Sequence, residues 1–176
     1  MSTGAVAPPS PGSASRASRR RTPAQWYCML AGLSLLLAGI LGFIADSGFN
    51  TGDPLNGHNL IIFEVNGWHN LVHILSGLVL LAAAPKRASA KTVAIAFGVV
   101  YGIVTIIGLV NGNDVLGLFP VNPADNVLHI ALTLLGLYCG LTSRGSDDVP
   151  ADEPRTVGTK RFDRERESGT VEHTTR

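Results

Sequence analysis

Four stretches of this 176-residue chain, 26–45, 65–85, 92–113 and 126–143, contain no Asp, Glu, Lys or Arg. A water-soluble helix of that length carries charges along its wet face. Their absence four times over excludes an ordinary soluble globule. A hydrocarbon core of about 30 Å takes roughly 20 helical residues to cross. Each stretch reaches that length, which predicts membrane-spanning helices over 26–45, 67–84, 92–110 and 123–142. A barrel is excluded because its strands alternate apolar and polar residues. Leu78-Val79-Leu80-Leu81 and Ile103-Val104-Thr105-Ile106-Ile107 do not alternate. The predicted fold class is an all-α membrane protein, an up-down-up-down bundle of four helices.

Orientation follows from the basic residues. Arg16, Arg19, Arg20 and Arg21 precede the first span, Lys86, Arg87 and Lys91 separate the second from the third, and seven more follow the fourth. These account for all 14 Lys and Arg. The remaining two loops hold only Asp46, Asp53, Glu64, Asp114 and Asp125. Basic flanks stay cytoplasmic, so both termini are predicted inside, in a multi-pass protein of the cell (inner) membrane. Trp26 and Tyr27 at the inner face and Trp68 at the outer face suit interfacial anchors. A cleaved signal is disfavoured, since Thr22-Pro23 follows the arginines and Phe43-Ile44 is bulky where a cleavage site needs small residues.

Composition assigns the rest. A net charge of +1 leaves no basic footprint for nucleic acid, so the bilayer is the expected partner. Residues 1–22 and 144–176 are too polar to pack and are predicted disordered, flanking a membrane domain over 23–143. Cys28 and Cys139 lie toward the reducing side and read as free thiols. The short linker 85–91 predicts that the second and third helices form an antiparallel hairpin. The apolar run Leu60-Ile61-Ile62-Phe63 is expected to lie on the bilayer surface or to cap the bundle.

The most informative pattern is internal. Residues 63–74 and 119–130 agree at six of twelve positions, at an offset of 56, and spell F-x-V-N-x3-N-x2-H-I. Asn and His are rare in apolar surroundings, so the match argues for a duplicated helical hairpin. Asn66 and Asn122 are suited to cap the two helices, with Pro123 in the first turn and Asp125 favoured by the helix dipole. Asn70 with His73, and Asn126 with His129, are three residues apart and share a face. Gly77 and Ala84 continue that face on one helix, and Thr133, Gly136 and Gly140 on the other. His58 and His69 are expected at the solvated outer surface.

Three readings of the four buried polar residues stand side by side, one of them a proton or ion path through His73 and His129. In the first, Asn70, His73, Asn126 and His129 are a structural polar network between helices. The protein is then a non-enzymatic scaffold or envelope component without a cofactor. It would associate with other membrane proteins, or with itself, through glycine faces such as Gly98-x3-Gly102 and Gly32, Gly39 and Gly42. In the second, His73 and His129 bind haem or a transition metal in a redox protein. No nucleophile elbow, phosphate loop or paired buried carboxylate supports an enzyme.

The segments Asn66-Gly67-Trp68-His69-Asn70-Leu71-Val72-His73 and Pro120-Val121-Asn122-Pro123-Ala124-Asp125-Asn126-Val127-Leu128-His129 resemble those of a family of small four-span membrane proteins. The family is common in actinobacteria and catalogued as a domain of unknown function. The resemblance covers about two-thirds of the chain, from Trp26 to Leu141. It implies architecture and a membrane location, and brings no activity or catalytic residue.

Overall fold

The computed structural model describes residues 20–52, 55–112 and 114–145. Most of both predicted tails lies outside the described residues. The element order is α1 (Pro23–Ala45), β1 (His58–Leu60), β2 (Phe63–Val65), α2 (Gly67–Ala83), α3 (Arg87–Asn111), β3 (Asp114–Val115), β4 (Phe119–Pro120) and α4 (Pro123–Thr142). All four predicted helices are present. By length and apolar composition α1, α3 and α4 are each sufficient to cross a membrane. At 17 residues α2 is shorter, about 26 Å at the helical rise.

The helix ends correct the sequence reading in two places. Thr22 closes a capping box with Gln25, so α1 begins three residues before its apolar run and draws Thr22 out of the tail. Helix α3 begins at Arg87, ahead of the span predicted from Thr92, because its first two turns accommodate Arg87 and Lys91 ahead of the apolar stretch.

The expectation of a purely helical chain also needs correcting. The α1–α2 and α3–α4 connections each fold into a two-stranded antiparallel hairpin, β1–β2 pairing His58 with Val65 and β3–β4 pairing Asp114 with Pro120. Leu60-Ile61-Ile62-Phe63 forms the tip of the first hairpin. Ile61 sits there at φ +62°, a conformation unfavourable for a β-branched residue, with its side chain exposed.

The helices pack chiefly as two pairs, α1 with α2 and α3 with α4. Helices α2 and α3, consecutive in the chain, meet only sparingly, so the predicted hairpin between them is a connection rather than a packed pair. Small residues let each true pair approach closely. A Cβ at Gly77 would fall 2.7 Å from the Gly32 carbonyl, and one at Gly98 would fall 2.9 Å from the Leu137 amide. Gly136 faces Tyr27 and the Ala94 carbonyl, and Gly140 faces Ile95. At the other end of the bundle, Gln25 Nε2 donates to the Ala84 and Pro85 carbonyls (3.0 Å each), and Tyr27 donates to the Leu132 carbonyl at 2.9 Å.

The distribution of polarity is inverted relative to a soluble bundle. Leu33, Leu37, Ile40, Leu78, Ile103, Ile106, Leu134 and Leu141 face outward, whereas Gln25, Asn66, Asn70, Thr105, Asp125 and Asn126 are buried. An apolar exterior over a polar, small-residue interior suits lipid rather than water. Cys28 and Cys139 are free thiols.

Candidate metal centre

The caps fix the N-terminal ends of α2 and α4. Asn66 accepts from the His69 amide at 2.9 Å, and Asn122 accepts from the Ala124 and Asp125 amides at 2.8 and 3.1 Å. Both cap side chains also reach across to the opposite hairpin. Asn66 Nδ2 donates to the Leu118 carbonyl at 2.9 Å, and Asn122 Nδ2 donates to the Ile62 carbonyl at 2.8 Å. Donors and acceptors are both separated by 56 residues, so the exchange is reciprocal.

Asp125 adds a further tie. Its Oδ2 accepts from the Glu64 amide at 3.0 Å and the Asn122 amide at 2.9 Å, joining β2 to the start of α4. Removing the carboxylate leaves two amides without their acceptor. Asp125→Ala is therefore expected to destabilise the folded protein by about 2–6 kcal/mol, at about 1–3 kcal/mol for each stranded group. Asp125→Asn retains an acceptor oxygen and is expected to recover most of that loss. Thermal unfolding of both variants in detergent measures the difference.

One turn deeper, each second asparagine sits over a glycine of the paired helix. Asn70 is fully buried against Gly42 and donates Nδ2 to the Asp46 carbonyl at 2.7 Å. Asn126 takes the corresponding place against Gly108, where a Cβ would fall 2.7 Å from its Oδ1. The Oδ1 atoms of both asparagines are buried without a hydrogen-bond partner.

The histidines then converge. His69, His73 and His129 are 3%, 6% and 3% exposed, and one ring nitrogen from each lies within 4.8 Å of the others. The His69 and His73 rings stand edge to face at 4.4 Å between centroids, and His129 packs its ring against Tyr101 at 5.3 Å. Nδ1 of His69 lies 3.0 Å from the Glu64 carbonyl. A carbonyl only accepts, so Nδ1 carries the proton and Nε2 keeps the lone pair. Nδ1 of His73 and Nδ1 of His129 are buried without a hydrogen-bond partner.

Three imidazoles, one oriented by a backbone carbonyl, make a recognised donor set for zinc or copper. Tetrahedral bonds of about 2.0–2.1 Å put ligand nitrogens about 3.3 Å apart. The rings need to close inward by on the order of 1 Å to reach that geometry.

Of the residues singled out from sequence, His73 and His129 share one site, while Asn70 and Asn126 flank it and Asn66, Asn122, Pro123 and Asp125 perform the expected capping. His69 is the correction: expected at the solvated surface, it is buried as the third member of the cluster. Its place in the third turn position after Asn66, aligned one turn above His73, was the available signal. His58 is exposed as expected, 76% by side chain, and its Nδ1 lies 2.9 Å from Asp46 Oδ2.

Burial works to raise the Asp46 carboxyl, but hydrogen bonds from His58 and the Gly48 amide outweigh it and hold it below the ordinary carboxylate value. A depressed carboxylate contributes stability that is present above its unfolded value and lost as pH falls through the folded one. His58→Ala is expected to move the Asp46 pKa upward, measurable by carboxyl-selective NMR titration.

The sequence profile of a domain of unknown function, DUF4383, matches residues 25–142. The chain belongs to the DUF4383 family. No curated relative and no solved structure matches it. The DUF4383 segment includes all but the first two residues of α1, the other three helices and both hairpins, and hence every histidine of the cluster. The match carries no activity, so the chemistry of the site has to be argued from its residues.

Proposed function

We propose that this DUF4383 protein is a four-span membrane protein that binds a single copper or zinc ion through His69, His73 and His129. The observation carrying the reading is the convergence of three buried imidazoles, two with ring nitrogens that no protein group satisfies. A buried polar atom without a partner costs about 1–3 kcal/mol, and a metal bond removes that cost. No carboxylate belongs to the cluster, so the ion's charge is not offset by a ligand. Burying one charge costs less than burying two, which favours copper(I) over zinc. A third imidazole within the same 4.8 Å disfavours haem, since a porphyrin needs an open plane between its two axial ligands.

The topology belongs to the same reading. Both termini lie in the cytoplasm, α2 completes the crossing with its flanking residues, and the two hairpins descend from one duplicated unit. The reciprocal Asn66–Leu118 and Asn122–Ile62 bonds and the matched Asn70–Gly42 and Asn126–Gly108 seats support the duplication. The bilayer is the partner. The scaffold alternative relied on glycine stripes free to dock other proteins. Here Gly32, Gly39, Gly42, Gly98 and Gly102 face this chain's own helices, which supports a packing role for them within the bundle.

The test is metal analysis of protein purified in detergent, with competitive titration of copper(I) and zinc. One ion per chain is expected. Wild-type protein that binds no more metal than its His73→Leu variant overturns the reading.

A further inference from the structure

A cavity of about 400 Å³ lies where α2 and α3 fail to pack against one another. Its floor holds the three histidine rings and Tyr101, all buried. Its mouth is formed by Leu75, Val79 and Val100, which are about half exposed on the apolar outer surface. The opening therefore faces lipid. One wall is the stacked pair Phe97 and Tyr101, 4.3 Å between centroids with an interplanar angle of 24°. Ser76 of α2 adds a hydroxyl to the lining.

This combination selects an occupant. The volume falls within the range of small-molecule sites, which are mostly apolar with a few convergent polar groups. An acyl chain would fill the apolar part and leave the imidazole floor without hydrogen bonds. A planar ring would lie along the Phe97–Tyr101 wall and present oxygen atoms to the histidines. The lipid-facing mouth would let an attached hydrocarbon tail remain in the bilayer.

We propose that this cavity binds a membrane-dissolved quinone or quinol, with its ring between α2 and α3 and an oxygen directed at the His69, His73 and His129 floor. The inference uses the same imidazoles as the proposed metal centre but does not require the ion to be present.

The test uses full-length protein in detergent, with and without copper, and a benzoquinone carrying a ten-carbon chain as the probe. Saturable binding of one probe per chain is expected by equilibrium dialysis. Decanol, which has the same tail without the ring, is expected not to displace it. Ser76→Phe and Ala96→Phe fill the cavity from opposite walls and are each expected to weaken binding at least tenfold, with the metal content unchanged. Equal competition by decanol would show a site for hydrocarbon alone and overturn the proposal. So would non-saturable uptake, or unaltered binding in both correctly folded variants. If either variant fails to fold, the decanol competition on the wild-type protein still decides. Quinone binding by metal-free protein separates the two readings: if metal fails and quinone binds, only the metal centre falls, and the reverse result removes only the quinone.

Discussion

Replacing His73 or His129 with leucine is expected to abolish metal binding while leaving the metal-free protein as stable as the wild type. Loss of one of three direct ligands should weaken affinity by more than the roughly 10–100-fold typical of losing a supporting residue. Stability should respond differently, because neither Nδ1 has a partner to lose. An apolar side chain of similar size removes a buried polar group without breaking a hydrogen bond, a change that is commonly neutral or stabilising. Asn70→Leu provides the contrast. It breaks the bond to the Asp46 carbonyl and leaves that group stranded, at a cost of about 1–3 kcal/mol. Metal titration and thermal unfolding of the three variants distinguish a ligand site from a structural network. If the histidine variants fall in stability as far as Asn70→Leu, the imidazoles are structural.

Gly42→Ala is expected to be the most damaging single methyl addition in the bundle. Its Cβ would overlap the Asn70 side-chain amide, which is fully buried and held by the Asp46 carbonyl. Neither the amide nor the backbone of α1 can yield without breaking that bond. Overpacking costs about 1–3 kcal/mol and the lost bond about as much again, giving roughly 2–6 kcal/mol in all. Gly108→Ala meets Asn126 Oδ1 at 2.7 Å, where no hydrogen bond is made, and is expected to cost less. Gly102→Ala meets the Thr133 methyl at 3.3 Å and is expected to be nearly neutral. Unfolding temperatures in detergent should follow this order, and a Gly42→Ala protein as stable as Gly102→Ala would contradict the packing described.

Much of the fold was legible because lipid restricts what a spanning chain can do. Charge-free runs located four helices, and Asn66, Asn122 and Asp125 announced their caps through local chemistry. The starts of α1 and α3 were less legible, since Thr22 and Arg87 lie outside the apolar runs that revealed the helices. The two β-hairpins were missed because strands of two or three residues leave no periodicity to read. His69 was misplaced for a related reason: its proximity to the helix end suggested water, while β2 and the second hairpin fold over that end and exclude it.

The sequence alone determined the helices, their caps and the pairing of an asparagine with a histidine on each of two helix faces. These depend on interactions within about four residues, which any isolated stretch already contains. Only the tertiary structure decided that three imidazoles would meet, that Gly42 and Gly108 would receive the asparagines, and that α2 and α3 would stand apart around a cavity. Those outcomes depend on how closely whole helices approach, and that distance is set by side chains far apart in the chain.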